Sequence, residues 1–272
     1  MTKSYPRFTL ADSIKIEGPG LHYGEPVAVT LHPGESGFAF RLGGQRIEAH
    51  PSEVTDTRRC TQLGSVATVE HVLSALAGMG VTDAEIEVEG GELPACDGCS
   101  LPYVHAIQSA GLASCGSVEV EGPFARVFLQ DLPIKIAIGR GEGWWRCIFE
   151  LDGYAHGRQE VELAWSPEAY AREIAPARTV VLEEELPMIK AAGLGKGLSE
   201  ESCLAIGRGG FLNEPRFADE PTRHKLLDLI GDLALSGVPI AHLDVVGERC
   251  GHASNVRAAQ KLVESVAVTR RG

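Results

Sequence analysis

Three side chains in the stretch PTRHKLLDLIGDLALSG stand at i, i+4 and i+8: His224, Asp228 and Asp232. In a helix that spacing places all three on one face. Leu226, Leu227, Ile230 and Leu233 fill the apolar positions, so the polar trio lies beside the buried stripe and not opposite it. Polar groups in that position cost free energy unless they are satisfied. A bound cation satisfies them, because imidazole and carboxylate both coordinate zinc. Taken alone, the helix also reads as one carrying an ordinary surface His–Asp pair.

A second constellation sits far upstream, where Glu70 and His71 adjoin in SVATVEHVLSALAG. Val69, Val72, Leu73 and Leu76 recur at helical spacing, which predicts a helix over Ser65–Gly78 capped by Ser65 or Thr68. Near a helix N-terminus the dipole disfavours an imidazolium and favours the neutral ring that a metal needs. A glutamate beside such a ligand is placed to act as general base. The plainer reading has Glu70 capping the helix and His71 packing. His71, His224 and Asp228 make the three protein ligands of a catalytic zinc, which keeps a position open. His252 in CGHASN and Asp232 form a further pair, in which Asp232 holds one ring nitrogen and keeps the imidazole protonated.

The elements that must position these groups alternate in type. Short strands are expected at Lys15–Ile16, Val27–Leu31, Phe38–Leu42 and Ala84–Val88, with a helix at Leu101–Ala110. The pattern restarts near residue 115, with strands at Val118–Val120, Arg126–Phe128, Ile134–Ile138 and Trp145–Leu151. A short helix is expected at Pro167–Glu173. A long helix opened by Asp219, Glu220 and Pro221 runs to Ser236 and ends at Gly237. A strand at Ile240–Val246 and a helix at Asn255–Val266 follow. This is an α+β pattern of two similar halves, residues 1–117 and 118–272, with the boundary near Ser114–Glu121 and the metal at their interface.

Composition narrows the classes. A net charge of -12 excludes a nucleic-acid-binding surface as the first reading. No apolar run approaches the roughly 18 residues of a membrane span, and the opening residues lack the apolar core of a signal peptide. Seven cysteines, an odd number, fit free thiols in a reducing cytoplasm. Cys96 and Cys99 form a single CxxC pair and read as free thiols. His105, His156 and His242 lack partners at motif spacing, and Trp144–Trp145 reads as sheet packing.

The motifs GPGLHYG (18–24), TVEHVLSALAG (68–78), ELPxxDGxxxP (92–102), ARTV (177–180), RHKLLDLIGDL (223–233) and GHASN (251–255) occur in the order seen in the UDP-3-O-acyl-N-acetylglucosamine deacetylase family, which this chain resembles over nearly its whole length. The resemblance implies a zinc enzyme of lipid A biosynthesis with two βααβ-type domains enclosing the metal. It implies His71, His224 and Asp228 as ligands (iron(II) also suits such a site), Glu70 as base, and His252 with Asp232 as its partner. It further implies Thr179 as a hydrogen-bond donor to the tetrahedral intermediate, Lys225 as a contact to the nucleotide-sugar's anionic part, and His22 and Asp97 as site-lining or structural. The expected partner is a small sugar-nucleotide substrate, and the protein is expected to be a monomer.

The chain departs from that family in 180–206, where the family has an apolar passage for an acyl chain. Here Glu183, Glu184, Glu185, Lys196, Glu200 and Glu201 crowd the segment, and Val180 stands where Phe is usual. If these charges face inward, a fatty chain is poorly held, and a divergent deacetylase of another N-acetylated amino sugar becomes the alternative. If they face solvent, Val181, Leu182, Leu186, Met188 and Ile189 remain to line a passage. A non-catalytic sugar-nucleotide binding module is the third reading, and Glu70 argues against it, since binding needs no general base.

Overall fold

The structure, a computed structural model, describes residues 2–122 and 127–271. The described residues form a mixed α and β fold with several sheets and six α-helices. The first five-stranded sheet has β2 (Ile14–Pro19), β3 (Pro26–Pro33), β4 (Phe38–Leu42), β5 (Gln45–Glu48) and β8 (Ala84–Glu89), in the order β2-β3-β8-β4-β5. The second has β10 (Val127–Asp131), β11 (Ile134–Arg140), β12 (Trp144–Glu150), β13 (Arg158–Ala164) and β17 (Leu243–Glu248), in the order β10-β11-β17-β12-β13. The connectivity is the same in both. A hairpin joins antiparallel to the last strand of the set, which runs parallel to the first strand of a second hairpin.

Strict alternation marks these strands. Ala84, Ile86 and Val88 of β8, and Leu243 and Val245 of β17, point into the core while their neighbours are more exposed. Trp145 of β12 is fully buried and donates to the Ile240 carbonyl, so it packs the sheet. A third sheet joins β1 (Thr2–Leu10), β9 (Leu112–Glu121) and β18 (Ala267–Arg271), with β9 in the middle. Two small sheets complete the set: β6 (Val54–Asp56) with β7 (Gln62–Leu63), and β14 (Val180–Leu182), β15 (Leu204–Gly207) and β16 (Gly210–Phe211).

The helices are α1 (Glu70–Gly78), α2 (Leu101–Ala110), α3 (Pro167–Glu173), α4 (Leu186–Ala191), α5 (Glu220–Ala234) and α6 (His252–Ser265). α1 packs on α5, and α5 and α6 cover the second sheet. Among the described residues no helix is long and apolar enough to cross a membrane.

Several boundaries differ from the sequence expectation. Helix α1 starts at Glu70, not Ser65, because Val66 and Ala67 pair with Leu63 and Glu92 and Thr68 adopts φ 64. Neither Ser65 nor Thr68 caps it: the residue before the helix is Val69, without a side-chain cap. Ile240–His242 forms a 3-10 turn before β17, so the expected strand begins later. Helix α6 starts three residues early, at His252, because the Ser254 hydroxyl accepts from the Gly251 N–H and closes the first turn there. The strand expected at Arg126–Phe128 is β10, and Arg126 lies outside the described residues. The boundary expected near Ser114–Glu121 lies within the continuous strand β9, which pairs with both β1 and β18.

Candidate metal centre and active site

The site forms where α5 crosses the start of α1. Helix α5 carries His224, Lys225, Asp228 and Asp232, and Glu70 and His71 are the first two residues of α1. Gly231 sets the approach of the two helices. A Cβ there would lie 2.1 Å from the Glu70 carbonyl oxygen, so any side chain would push α5 off the turn that presents Glu70.

His224 Nε2 lies 3.4 Å and His71 Nε2 3.9 Å from Asp228 Oδ1. The two rings meet edge-on with centroids 5.2 Å apart. All three residues are buried, and their ligand atoms lie within 4.8 Å of one another. Asp228 Oδ1 is buried without a hydrogen-bond partner among the described residues. A buried carboxylate oxygen left unpaired is costly. One ion with bonds of about 2.0–2.2 Å to imidazole nitrogen and carboxylate oxygen would remove that cost.

The protonation states suit the same reading. Burial, with His224 adding, pushes the His71 ring down to about 3, so the imidazole is neutral. Burial also lowers His224, against the opposing pull of Asp228. His224 Nδ1 lies 3.1 Å from the Ala177 carbonyl; an N–H there donates to it and leaves Nε2 as the lone pair facing Asp228. Burial alone would raise Asp228, but His224 and Lys225 outweigh it and hold the carboxyl well below the usual range. Lys225 Nζ donates to Asp228 Oδ2 at 2.8 Å, so its ammonium is directed at the cluster.

Glu70, Asp228 and His252 form a second trio within 4.8 Å. Its protonation states suit proton transfer better than ligation. Burial pushes Glu70 up to about 7, with Asp228 and Asp232 adding and His252 opposing. Burial would lower His252, yet Asp228 and Asp232 raise it to about 9. A protonated ring has no lone pair for a metal. His252 Nδ1 lies 3.1 Å from Asp232 Oδ2, and its Nε2 lies 3.9 Å from Asp228 Oδ2.

Thr61 joins these groups and was not singled out by sequence reasoning. Its N–H donates to Glu70 Oε2 at 2.9 Å, and its hydroxyl donates to Asp232 Oδ1 at 2.6 Å. The same hydroxyl is 3.3 Å from His252 Nδ1, and the residue is fully buried. Asn255 Nδ2 adds a bond of 2.9 Å to Asp232 Oδ2. Asn255 lies in the GHASN motif read for His252, whereas Thr61 stands in RRCTQ, outside every motif singled out, and neither carries charge or periodicity to mark it.

His22 lies on the loop between β2 and β3. The Glu92 carboxylate holds that loop by accepting the N–H groups of His22 and Tyr23, each at 2.9 Å. Gly20 is required there, since its Cβ would fall 1.9 Å from Glu92 Oε1. Both ring nitrogens of His22 are buried and unpartnered among the described residues. Burial lowers its pKa, and Arg59 and His252 are among the charges it senses. Thr179 is anchored through its backbone to Gly98 and Leu204, two residues beyond Ala177. Its hydroxyl has no hydrogen-bond partner among the described residues. Asp97 instead accepts from Cys99 Sγ and Arg216, away from the cluster. All seven cysteines are free thiols, Cys96 and Cys99 included.

The charges of 180–206 face outward. Glu183, Glu184, Lys196, Glu200 and Glu201 are exposed, Glu184 pairs with Arg208, and Glu185 pairs with Arg59 at 3.0 Å. Inside, Val181, Ile189 and Cys203 form a small core with Leu186, Leu194, Leu198 and Ala205 packed on it. The segment docks on the His22 loop, where the N–H groups of Lys196 and Gly197 donate to the carbonyls of His22 and Leu21. His242 stacks on Tyr5 and His156 packs on Phe211, both as ordinary packing residues.

A buried His/His/Asp trio beside a glutamate and a protonated histidine is the equipment of a metal-assisted hydrolase. The chain belongs to the UDP-3-O-acyl N-acetylglycosamine deacetylase family, whose model matches residues 7–264. It is 35% identical to the UDP-3-O-acyl-N-acetylglucosamine deacetylase of Anaeromyxobacter dehalogenans, covering 98% of this chain and 90% of that protein. It is 36% identical to the enzyme of that name from Nostoc sp. (94% and 97% covered) and 35% identical to the one from Neisseria gonorrhoeae (91% and 86%).

Proposed function

We propose that this chain hydrolyses the N-acetyl group of a UDP-linked, 3-O-acylated N-acetylglucosamine, a step of lipid A biosynthesis, with a zinc ion held by His71, His224 and Asp228. The observation that carries the reading is the unpaired, buried Asp228 Oδ1 facing two neutral imidazoles, with Glu70 alongside. When bound, the ion acidifies water and polarises the acetamide carbonyl; iron(II) also suits this donor set.

The residues divide the remaining work. Glu70 takes the proton of the attacking water, and the Thr61 N–H fixes its carboxylate for that transfer. His252 stays protonated, with Nδ1–H on Asp232 and Nε2–H free to meet the developing oxyanion or the leaving nitrogen. The Thr179 hydroxyl is a second donor to the oxyanion. Lys225 neutralises part of the Asp228 charge and lies next to His224, where it contacts the anionic part of the substrate. His22 has a site-lining role, on the loop against which 180–206 docks.

Outward-facing charges in 180–206 support a 3-O-acyl substrate over one lacking the chain. The two sheets of identical connectivity support two related halves, 1–117 and 118–272, with the site between them. The free thiols suit a reducing cytoplasm. The test is a deacetylation assay of the long-chain nucleotide sugar against its chainless counterpart. Turnover of the first and at least tenfold slower turnover of the second is expected. Equal rates would assign the chain to a different amino sugar, and no turnover of either would remove the enzymatic reading.

A further inference from the structure

A cavity of about 570 Å³ lies at the far ends of α1 and α5, away from Glu70 and His224. Ala77 and Met79 line it from the end of α1, and Ala234 and Gly237 from the end of α5. The walls are largely aliphatic: Val81, Leu112, Val118, Ile240, Val263 and Val268. The volume lies within the roughly 300–1,000 Å³ of small-ligand sites.

One charged group in this cavity, about a quarter exposed, is only partly compensated. Arg270 of β18 lays its guanidinium against two glycines; Cβ atoms at Gly37 and Gly237 would meet its Nη2 at 2.9 and 3.4 Å. The nearest carboxylate is Asp83, whose Oδ1 lies 3.2 Å from Arg270 Nε, yet that Nε makes no hydrogen bond. Asp83 is already saturated. It accepts from Arg7 Nε at 3.0 Å, Arg7 Nη2 at 2.8 Å, the Gly37 N–H at 2.6 Å and the Thr82 hydroxyl at 2.5 Å. Two guanidinium groups thus share one buried carboxylate, and Arg270 is the more weakly held of the two. Glu48 also lines the cavity, but it is largely exposed and pairs with Arg46. Burial lowers the pKa of Arg270, as a cation short of a counterion should show.

We propose that this cavity binds a long-chain carboxylate, with the head group on Arg270 and the hydrocarbon tail along the valine-lined walls. A monoanion closes the local charge, and the guanidinium fork matches a carboxylate. The walls favour an aliphatic tail over a polar one. The site is separate from the catalytic cluster: the nine residues of α1 span about 13 Å between them.

Photolabelling of the full chain with a diazirine derivative of palmitate tests this. Saturable labelling of peptides covering 234–242 and 263–270 is expected. Arg270→Gln should cut it at least tenfold, and a hexadecylamine probe of equal length should not label there. Leu112→Glu, at a lining position 44% exposed and so tolerant of substitution, should also cut it while leaving the thermal midpoint unchanged. Labelling confined to 179–207, labelling indifferent to Arg270→Gln, or equal labelling by the amine would overturn the proposal.

Discussion

The two ends of the α1–α5 pair are built from the same packing and hold opposite contents. At one end, five buried ionisable residues (Glu70, His71, His224, Asp228 and Asp232) crowd against His252. At the other, the same helices finish in alanine, methionine and glycine around an aliphatic cavity. Burying that many polar groups is costly, and among the described residues each fully buried carboxylate oxygen of the cluster but one is met by a donor: Thr61, Lys225, Asn255 or His252. The exception is Asp228 Oδ1, and it is the atom that the two neutral imidazoles surround. The contrast teaches that the polar end leaves one buried carboxylate oxygen suited to a cation, whereas at the apolar end Arg270 shares Asp83 with Arg7.

Removing chemistry from the polar end should have the largest effect. Glu70→Gln keeps shape and burial but lacks the base, so kcat should fall by about 10²–10⁴-fold with metal content unchanged. Steady-state kinetics alongside elemental analysis reads both, and an unaltered kcat would strip Glu70 of its role.

Thr61→Val should come next. It leaves Glu70 its backbone donor but takes a hydroxyl from Asp232, a charge-assisted bond of about 1.5–3 kcal/mol. A fall in kcat of about tenfold or more, little change in KM, and recovery in Thr61→Ser are expected. Loss of KM instead would mean that Thr61 serves substrate binding.

Gly231→Ala probes the approach of the helices. Its Cβ would press on the Glu70 carbonyl, so a loss of about 1–3 kcal/mol of stability is expected in denaturant melts. An unchanged midpoint would show that α5 can move without cost.

The His252–Asp232 pair gives a pH signature. With its pKa raised to about 9, above the unfolded value near 6.5, His252 contributes stability fully present below about 6.5 and lost as pH rises through about 9. Titration of the His252 ring in the metal-free protein by NMR should therefore show a midpoint near 9 that drops in Asp232→Asn. A midpoint near 6.5 in the parent protein would contradict the pairing. The smallest effect belongs to the outer face: Glu184 and Arg208 are both about half exposed or more, so Arg208→Ala should change stability by under about 1 kcal/mol.

Much of the site was legible because its residues recur at helical spacing or sit in compact motifs. His224, Asp228 and Asp232 lie on one face of α5 because four-residue steps bring side chains into line, whatever surrounds them. Glu70 and His71 are readable as the opening of a helix, although the periodicity extends back to Ser65 and the helix itself starts at Glu70. The bridges of Val66 and Ala67 are contacts with Leu63 and Glu92, and the latter partner lies far along the chain. Thr61 escaped notice for the same reason: its partners are 9 and 171 residues away, and a threonine in a loop carries no periodic mark. The orientation of Glu183–Glu185 could not be read from composition, because Arg59 and Arg208, which draw two of them outward, come from other segments. Pairing of β1 and β18 with β9 likewise depends on the two chain ends meeting in the middle strand.

Metal content across ligand variants tests the central claim most directly. The parent protein and Glu70→Gln should each carry about one divalent ion per chain, and His71→Ala, His224→Ala and Asp228→Ala should each lose most of it while remaining folded. Undiminished metal in Asp228→Ala, or a metal-free parent protein that hydrolyses the acetamide at full rate, would contradict the account.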